Sequence, residues 1–164
     1  MDRLWSPWRA QYIASGADSQ KDGCVFCRIA RDSEHDADNL VLHRGEHSFI
    51  VLNLYPYISG HLMVVPYLHT ADFDTTPKEI TDEMMDLTKR GQTALREVYS
   101  PAGFNIGMNL GVAAGAGVAD HIHIHVLPRW IGDTNFMTTV GETRVLPEDL
   151  RTTYSKLQAK FDTE

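Results

Sequence analysis

The stretch "DHIHIHVLPRW", residues 120–130, decides the fold. His121, His123 and His125 alternate with Ile122, Ile124 and Val126. This strict period of two, built on β-branched residues, predicts a β-strand. Alternate strand residues share a face. At about 3.3 Å per residue, neighbouring imidazoles start roughly 6.6 Å apart along one side. Folding alone does not require such a line of rings, and three readings of it stand side by side. It is a solvated polar face. It is a three-histidine metal site, although the third ring sits too far along a straight strand to close it easily. Or the roles are split: one histidine completes a metal site with cysteines from elsewhere, and another is a nucleophile or general base.

Working outward, "LVLHR" (40–44) and "SFIVLNLYP" (48–56) read as strands, with Gly45-Glu46 suited to a hairpin between them. "GHLMVVP" (60–66) and "FNIGMNL" (104–110) complete, with 120–128, an antiparallel set of five. Thr76-Pro77-Lys78-Glu79 matches a capping box with proline at the first helical position. Ile80, Met84, Leu87, Leu95 and Val98 then recur at helical spacing, Gly91 fills the gap in the stripe, and Pro101 and Gly103 end the helix. A second helix starts near Pro147 and puts Leu150, Tyr154, Leu157 and Phe161 on one face. Strands grouped around one long helix and a C-terminal helix define an α+β fold. Residues 14–23 and 31–39 read as polar loops. Leu4, Trp5, Trp8, Tyr12 and Ile13 make the N-terminal segment (1–20) an apolar arm, packed on the domain or on a second subunit.

The length, 164 residues, suits one domain spanning 1–164. The formal net charge of -7 argues against a non-specific nucleic-acid binder, which needs a positive surface to release counterions. It leaves room for a small phosphorylated ligand held by backbone N–H groups and imidazoles. No apolar run reaches the roughly 18 residues of a membrane span. "MDRLWSPWRAQYI" lacks the apolar stretch of a secretory signal, so a cytoplasmic location is expected. There a stable Cys24–Cys27 disulfide is not expected. A redox C-x-x-C opens a helix after a strand, whereas "GADSQKDG" before this pair reads as loop. Metal binding is the better reading, with two ligands still to be found.

"HIHIHVL" (121–127) fits H-φ-H-φ-H-φ-φ, where φ is apolar, and resembles the signature of the histidine triad (HIT) family. "VLNLYPYISGHLMVVPYLH" (51–69) resembles the family's strand-turn-strand with its G-H pair, and "CVFCRI" (24–29) its zinc-bearing motif. "GMNLGVAAGAGVADHIHIHVLPRWIGDTNFM" and "LWSPWRAQYI" resemble the bacterial branch acting on diadenosine polyphosphates. The resemblance implies that His123 attacks the α-phosphorus of a nucleotide to form a nucleotidyl-histidine, which water or phosphate resolves. It implies His125 beside the phosphate or bridging oxygen, His61 bracing the triad, Asn53 on the ribose and Asn109 on a phosphate oxygen. It places Phe26, Ile29 and Leu54 in a nucleobase pocket and Trp130 stacking on the base or lining the site. The glycine-rich "GVAAGAG" (111–117) brings backbone N–H groups of Gly115 and Gly117 towards phosphate. It also implies a structural Zn2+ held by Cys24, Cys27, His69 and His121, and a homodimer.

Two positions bear on the branch. Many family members carry serine or threonine five residues before the nucleophile; Val118 stands there, shifting leaving-group assistance to Gly115, Gly117 and His125. Histidine at 125, where the galactose-1-phosphate uridylyltransferase branch has glutamine, favours hydrolases and phosphorylases. The expected activity is cleavage of dinucleoside polyphosphates, by phosphorolysis or hydrolysis. The alternatives are an adenosine phosphoramidate hydrolase and a non-catalytic nucleotide-binding regulatory protein.

Overall fold

The computed structural model describes residues 23–133 and 148–162. The apolar arm (1–20) and the helix start expected near Pro147 lie outside these residues. Helix α1 is Val25–Arg31 and the short α2 is Asp36–Asn39. Strands β1 (Val41–Arg44), β2 (Ser48–Leu52) and β3 (Leu62–Pro66) follow, then α3 (Lys78–Tyr99), β4 (Gly103–Met108), β5 (Ile124–Arg129) and α4 (Leu150–Phe161). The five strands form one sheet in the order β1-β2-β3-β5-β4, every neighbouring pair antiparallel. This is the α+β architecture the periodicities predict.

The two faces of the sheet are buried differently. One face packs under α3 and α4 through Leu42, Ile50, Leu62, Val64, Ile124 and Val126, joined by Met84, Leu95, Leu157 and Phe161. At Gly91 α3 packs closely on Leu62: a Cβ there would sit 3.1 Å from Leu62 Cδ1. The gap in the apolar stripe is therefore a point of close approach. The other face carries a smaller cluster of Phe26, Val41, Phe49, Val51, Met63 and Val65, covered by α1. The candidate site lies on this α1 side.

Several local expectations need correction. The capping box does not form: Pro77 is the cap of α3, no side chain caps it, and the Thr76 hydroxyl donates to Asp72 O instead. Among the described residues, the helix start with a side-chain cap is at α4, where Asp149 accepts from Thr152 N at 2.9 Å. The 31–39 segment is not all loop, since it contains α2. Strand β2 ends at Leu52 rather than at Pro56, because the Asn53 side chain accepts the Tyr55 N–H at 2.9 Å and turns the chain out of the sheet. The histidine stretch enters regular strand only at Ile124, so His121 and His123 precede β5. No helix among the described residues is long and apolar enough to cross a membrane.

Candidate active site

Cys24 caps α1 and Cys27 lies one turn on, so both thiols sit at the start of one helix. The C-x-x-C pair opens this helix, and residues 14–22 of the loop expected before it lie outside the described residues. The chain after β3 carries His69, and Ile122 N donates to Thr70 O at 2.8 Å, which lays that segment beside His121. Nδ1 of His121 lies 3.3 Å from Cys24 Sγ, 3.7 Å from Cys27 Sγ and 3.3 Å from Nδ1 of His69; Cys27 Sγ is 3.3 Å from Nδ1 of His69. All four donor atoms fall within 4.8 Å of one another. A tetrahedral zinc with the usual bond lengths has edges of about 3.3 Å between nitrogens and about 3.6 Å between sulfur and nitrogen. Two of these four distances, Cys27–His121 and His69–His121, match those edges to about 0.1 Å; Cys24–His121 and Cys27–His69 are about 0.3 Å tighter. The second ring nitrogen of His121 settles its tautomer. Nε2 faces Pro66 O at 2.8 Å, and a carbonyl only accepts, so Nε2 carries the proton and Nδ1 presents a lone pair to the cluster. Two thiols and two imidazoles form a closed set that suits zinc.

Phe26 separates this cluster from a second group of rings, its centroid 5.4 Å from His121 and 5.0 Å from His123. In this second group His123 uses the opposite nitrogen. Nδ1 donates to His121 O at 2.9 Å, so the lone pair is on Nε2. A chain of bonds sets the other rings too. Tyr57 N–H donates to His61 Nδ1 at 3.1 Å, which puts the His61 proton on Nε2. His61 Nε2 donates to His125 Nδ1 at 2.9 Å, which puts the His125 proton on Nε2. Asn53 stands 3.3 Å from His61 Nδ1 through its amide nitrogen, reinforcing that assignment. The rings of His123 and His125 meet edge to face, centroids 4.8 Å apart. Burial pushes the His123 pKa below the ordinary histidine value, opposed by the bond to His121 O. Burial, with the neighbouring His123, lowers His125 to about 4.

His123 and His125 open onto a cavity of about 280 Å³, and Phe26, Ile29, Asn53, Leu54, Asn109, Gly115 and Gly117 also line it. Gly115 has φ +85, a conformation that suits glycine, and closes a single helical turn over Val112–Ala114. Val118, standing where the resemblance implies a serine or threonine, lines the cavity with an aliphatic side chain. His61 is buried behind His125 rather than in the cavity wall. Trp130 departs from the expectation: it is not among the lining residues and packs edge-on against Tyr99, centroids 6.4 Å apart. It stands five residues beyond His125, just past the end of β5, roughly 16 Å away at strand rise. The sequence reading missed Arg28, Asp38, Asn39, Tyr55, Tyr57 and Met63, which also line the cavity. Met63 was legible as the residue two beyond His61, at the start of β3. Tyr57 contributes a backbone N–H, which no side-chain pattern reveals.

Residues 34–130 match the HIT domain family, and the chain belongs to it. Over 98% of its length the chain is 40% identical to the AP-4-A phosphorylase of Mycobacterium tuberculosis, covering 85% of that protein. Over 59% of its length it is 34% identical to the asymmetrical bis(5'-nucleosyl)-tetraphosphatase of Schizosaccharomyces pombe, covering 53% of that protein. A zinc-bound histidine triad family protein from Mycobacterium smegmatis superposes with a TM-score of 0.68 at 32% identity, over 85% of this chain and 94% of that one.

Proposed function

We propose that this chain is a nucleotidyl-histidine enzyme that cleaves dinucleoside polyphosphates of the diadenosine tetraphosphate kind at the α-phosphorus. The observation that carries the reading is the pair of fixed tautomers facing one cavity. His123 offers an Nε2 lone pair, and His125 offers an Nε2–H. A lone pair beside a donor suits in-line displacement at phosphorus. His123 Nε2 forms the P–N bond as the bridging P–O bond breaks. The leaving polyphosphate departs as an anion, and His125 Nε2–H stabilises the charge on its oxygen without giving up its proton. The nucleotidyl-imidazolium that results keeps its Nδ1–H on His121 O. An acceptor oxygen then attacks the same phosphorus, the P–N bond breaks, and the Nε2 lone pair returns. Asn109 and the N–H groups of Gly115 and Gly117 hold phosphate oxygens, Asn53 serves the ribose from the side that holds His61, and Phe26, Ile29 and Leu54 take the base.

The preferred acceptor is inorganic phosphate. The near full-length similarity to a phosphorylase supports it. So does the absence of a hydroxyl at Val118, since a held phosphate gains from proximity over bulk water. Cys24, Cys27, His69 and His121 hold a structural zinc in this reading, which fixes the segment leading into His123 and takes no part in the chemistry. A homodimer and a cytoplasmic location complete it. Anion-exchange analysis of products from diadenosine tetraphosphate tests the acceptor. ADP plus ATP should appear when phosphate is added; AMP as the sole partner of ATP at every phosphate concentration would make the enzyme a hydrolase. Turnover of an adenosine phosphoramidate with diadenosine tetraphosphate left intact selects the first alternative, and binding without any turnover the second.

A further inference from the structure

The mechanism gives no role to the polar residues at the end of the cavity away from His123. There Arg28, Asp38 and Asn39 line an otherwise apolar wall of Val25, Ile29 and Leu40. Phe26, near the start of α1, lies against His123, whereas Asn39 is bonded to Asp32, just past the end of α1. At helical rise those two points of α1 are about 9 Å apart, so Asn39 marks the end far from the reacting phosphorus. That is the end a nucleobase reaches.

The amide of Asn39 is locked. Its Nδ2 donates to Asp32 Oδ2 at 3.0 Å, and the other Asp32 oxygen is held by His35 Nδ1 at 2.6 Å. A carboxylate only accepts, so the amide cannot turn over, and the group left free is the Oδ1 carbonyl. The backbone is fixed on the next residue as well. Leu40 is buried and takes φ +60, a left-handed conformation uncommon for a branched side chain. Asp38 on the same rim is paired with Arg151 at 3.2 Å. Arg28 is exposed and has no carboxylate partner among the described residues.

We infer that Asn39, oriented by Asp32, reads the base: its carbonyl accepts a hydrogen bond from an exocyclic amine, so the site prefers a 6-amino purine to a 6-oxo purine. An oxo group opposite the Asn39 carbonyl would set two acceptors against each other, each partly desolvated, and such unpaired polar groups discriminate strongly. This specificity role rests on the nucleotide reading of the cavity. Titration of the holoprotein with AMP and with IMP, which differ at that substituent, tests it. AMP should bind about tenfold more tightly. Asn39→Ala should bring the two affinities within about twofold of each other. Asp32→Ala, which frees the amide to rotate, should shrink the ratio as well. Thermal melting of each variant checks that it is folded, and the AMP/IMP ratio is a readout that a purely structural role of the Asp32–Asn39 bond would not move. Equal binding of AMP and IMP to the unaltered protein, or a tenfold ratio that survives Asn39→Ala, would overturn the inference and leave the nucleotide reading standing. Preference for IMP would overturn it in favour of Arg28, a donor suited to oxo groups. Failure of both nucleotides to bind would overturn the nucleotide reading and this inference with it.

Discussion

His121 and His123 are two residues apart, touch the same Phe26 ring, and present opposite nitrogens. His121 gives Nε2–H to Pro66 O and turns Nδ1 towards two thiols. His123 gives Nδ1–H to His121 O and leaves Nε2 for the cavity. The residue type is identical, and what differs is which ring nitrogen a backbone carbonyl claims. Each carbonyl selects a tautomer, and in the proposed reading the tautomer decides whether the ring serves as a ligand or as a nucleophile. The two clusters are therefore separate in chemistry and joined in structure, since the carbonyl of one histidine sets the proton of the next.

The sharpest way to break this comparison is to remove one ring from each cluster and compare. His123→Ala should lower turnover of diadenosine tetraphosphate by at least about a thousandfold, roughly 4 kcal/mol in barrier, with the melting temperature and AMP binding little changed. Steady-state kinetics alongside calorimetry read both. Turnover within tenfold of the unaltered protein would remove the nucleophile from His123. Cys24→Ser should do the reverse. Metal content, measured by elemental analysis at about one zinc per chain in the unaltered protein, should fall with a loss of affinity near a hundredfold, about 3 kcal/mol. The melting temperature should fall with it, and the residual folded enzyme should keep its product pattern. A protein that carries no zinc yet melts unchanged would end the account of the Cys/His cluster.

The two clusters were not equally legible. The C-x-x-C pair and the H-x-H-x-H run are sequence patterns, and the family resemblance supplied His69 and His61 at long range. The five strands and the long helix followed from periodicity, because burial on one face of each element leaves a period in the sequence. Three things were not legible for physical reasons. The capping box at Thr76 failed because a local hydrogen bond to Asp72 O competes for the same hydroxyl. The start of β5 was misplaced because His121 and His123 are spaced like strand residues while bonding to a neighbouring segment and to each other. Asn39 went unnoticed because its meaning comes from Asp32 seven residues earlier and from a cavity wall, neither of which leaves a period. The resemblance put Trp130 on the base or in the site wall, and in the structure it stands just past the end of β5, packed edge-on against Tyr99.

A finer test asks whether the second cluster is held neutral by its own relay. His125 is packed by His61, His123 and Tyr57, and its cross-strand partners Met63 and Gly107 carry no charge. With no carboxylate among these neighbours, burial dominates and lowers its pKa to about 4. The unfolded chain has the ordinary value near 6.5. Between these values the unfolded state binds the proton that the folded state refuses, so stability rises with pH. The contribution is fully present above about pH 6.5 and is lost as pH falls towards 4. Because the ring is only partly buried, a loss of about 2 kcal/mol is expected rather than the full shift. Chemical denaturation at pH 7 and pH 4.5 measures it. In His125→Gln, where the amide cannot titrate, the difference between the two pH values should shrink by about that amount. The rest of the acid sensitivity should remain, because other groups also titrate there. An unchanged difference would mean that His125 is charged in the folded protein at acid pH. It would then no longer be the neutral Nε2–H donor that the chain of bonds from Tyr57 through His61 assigns.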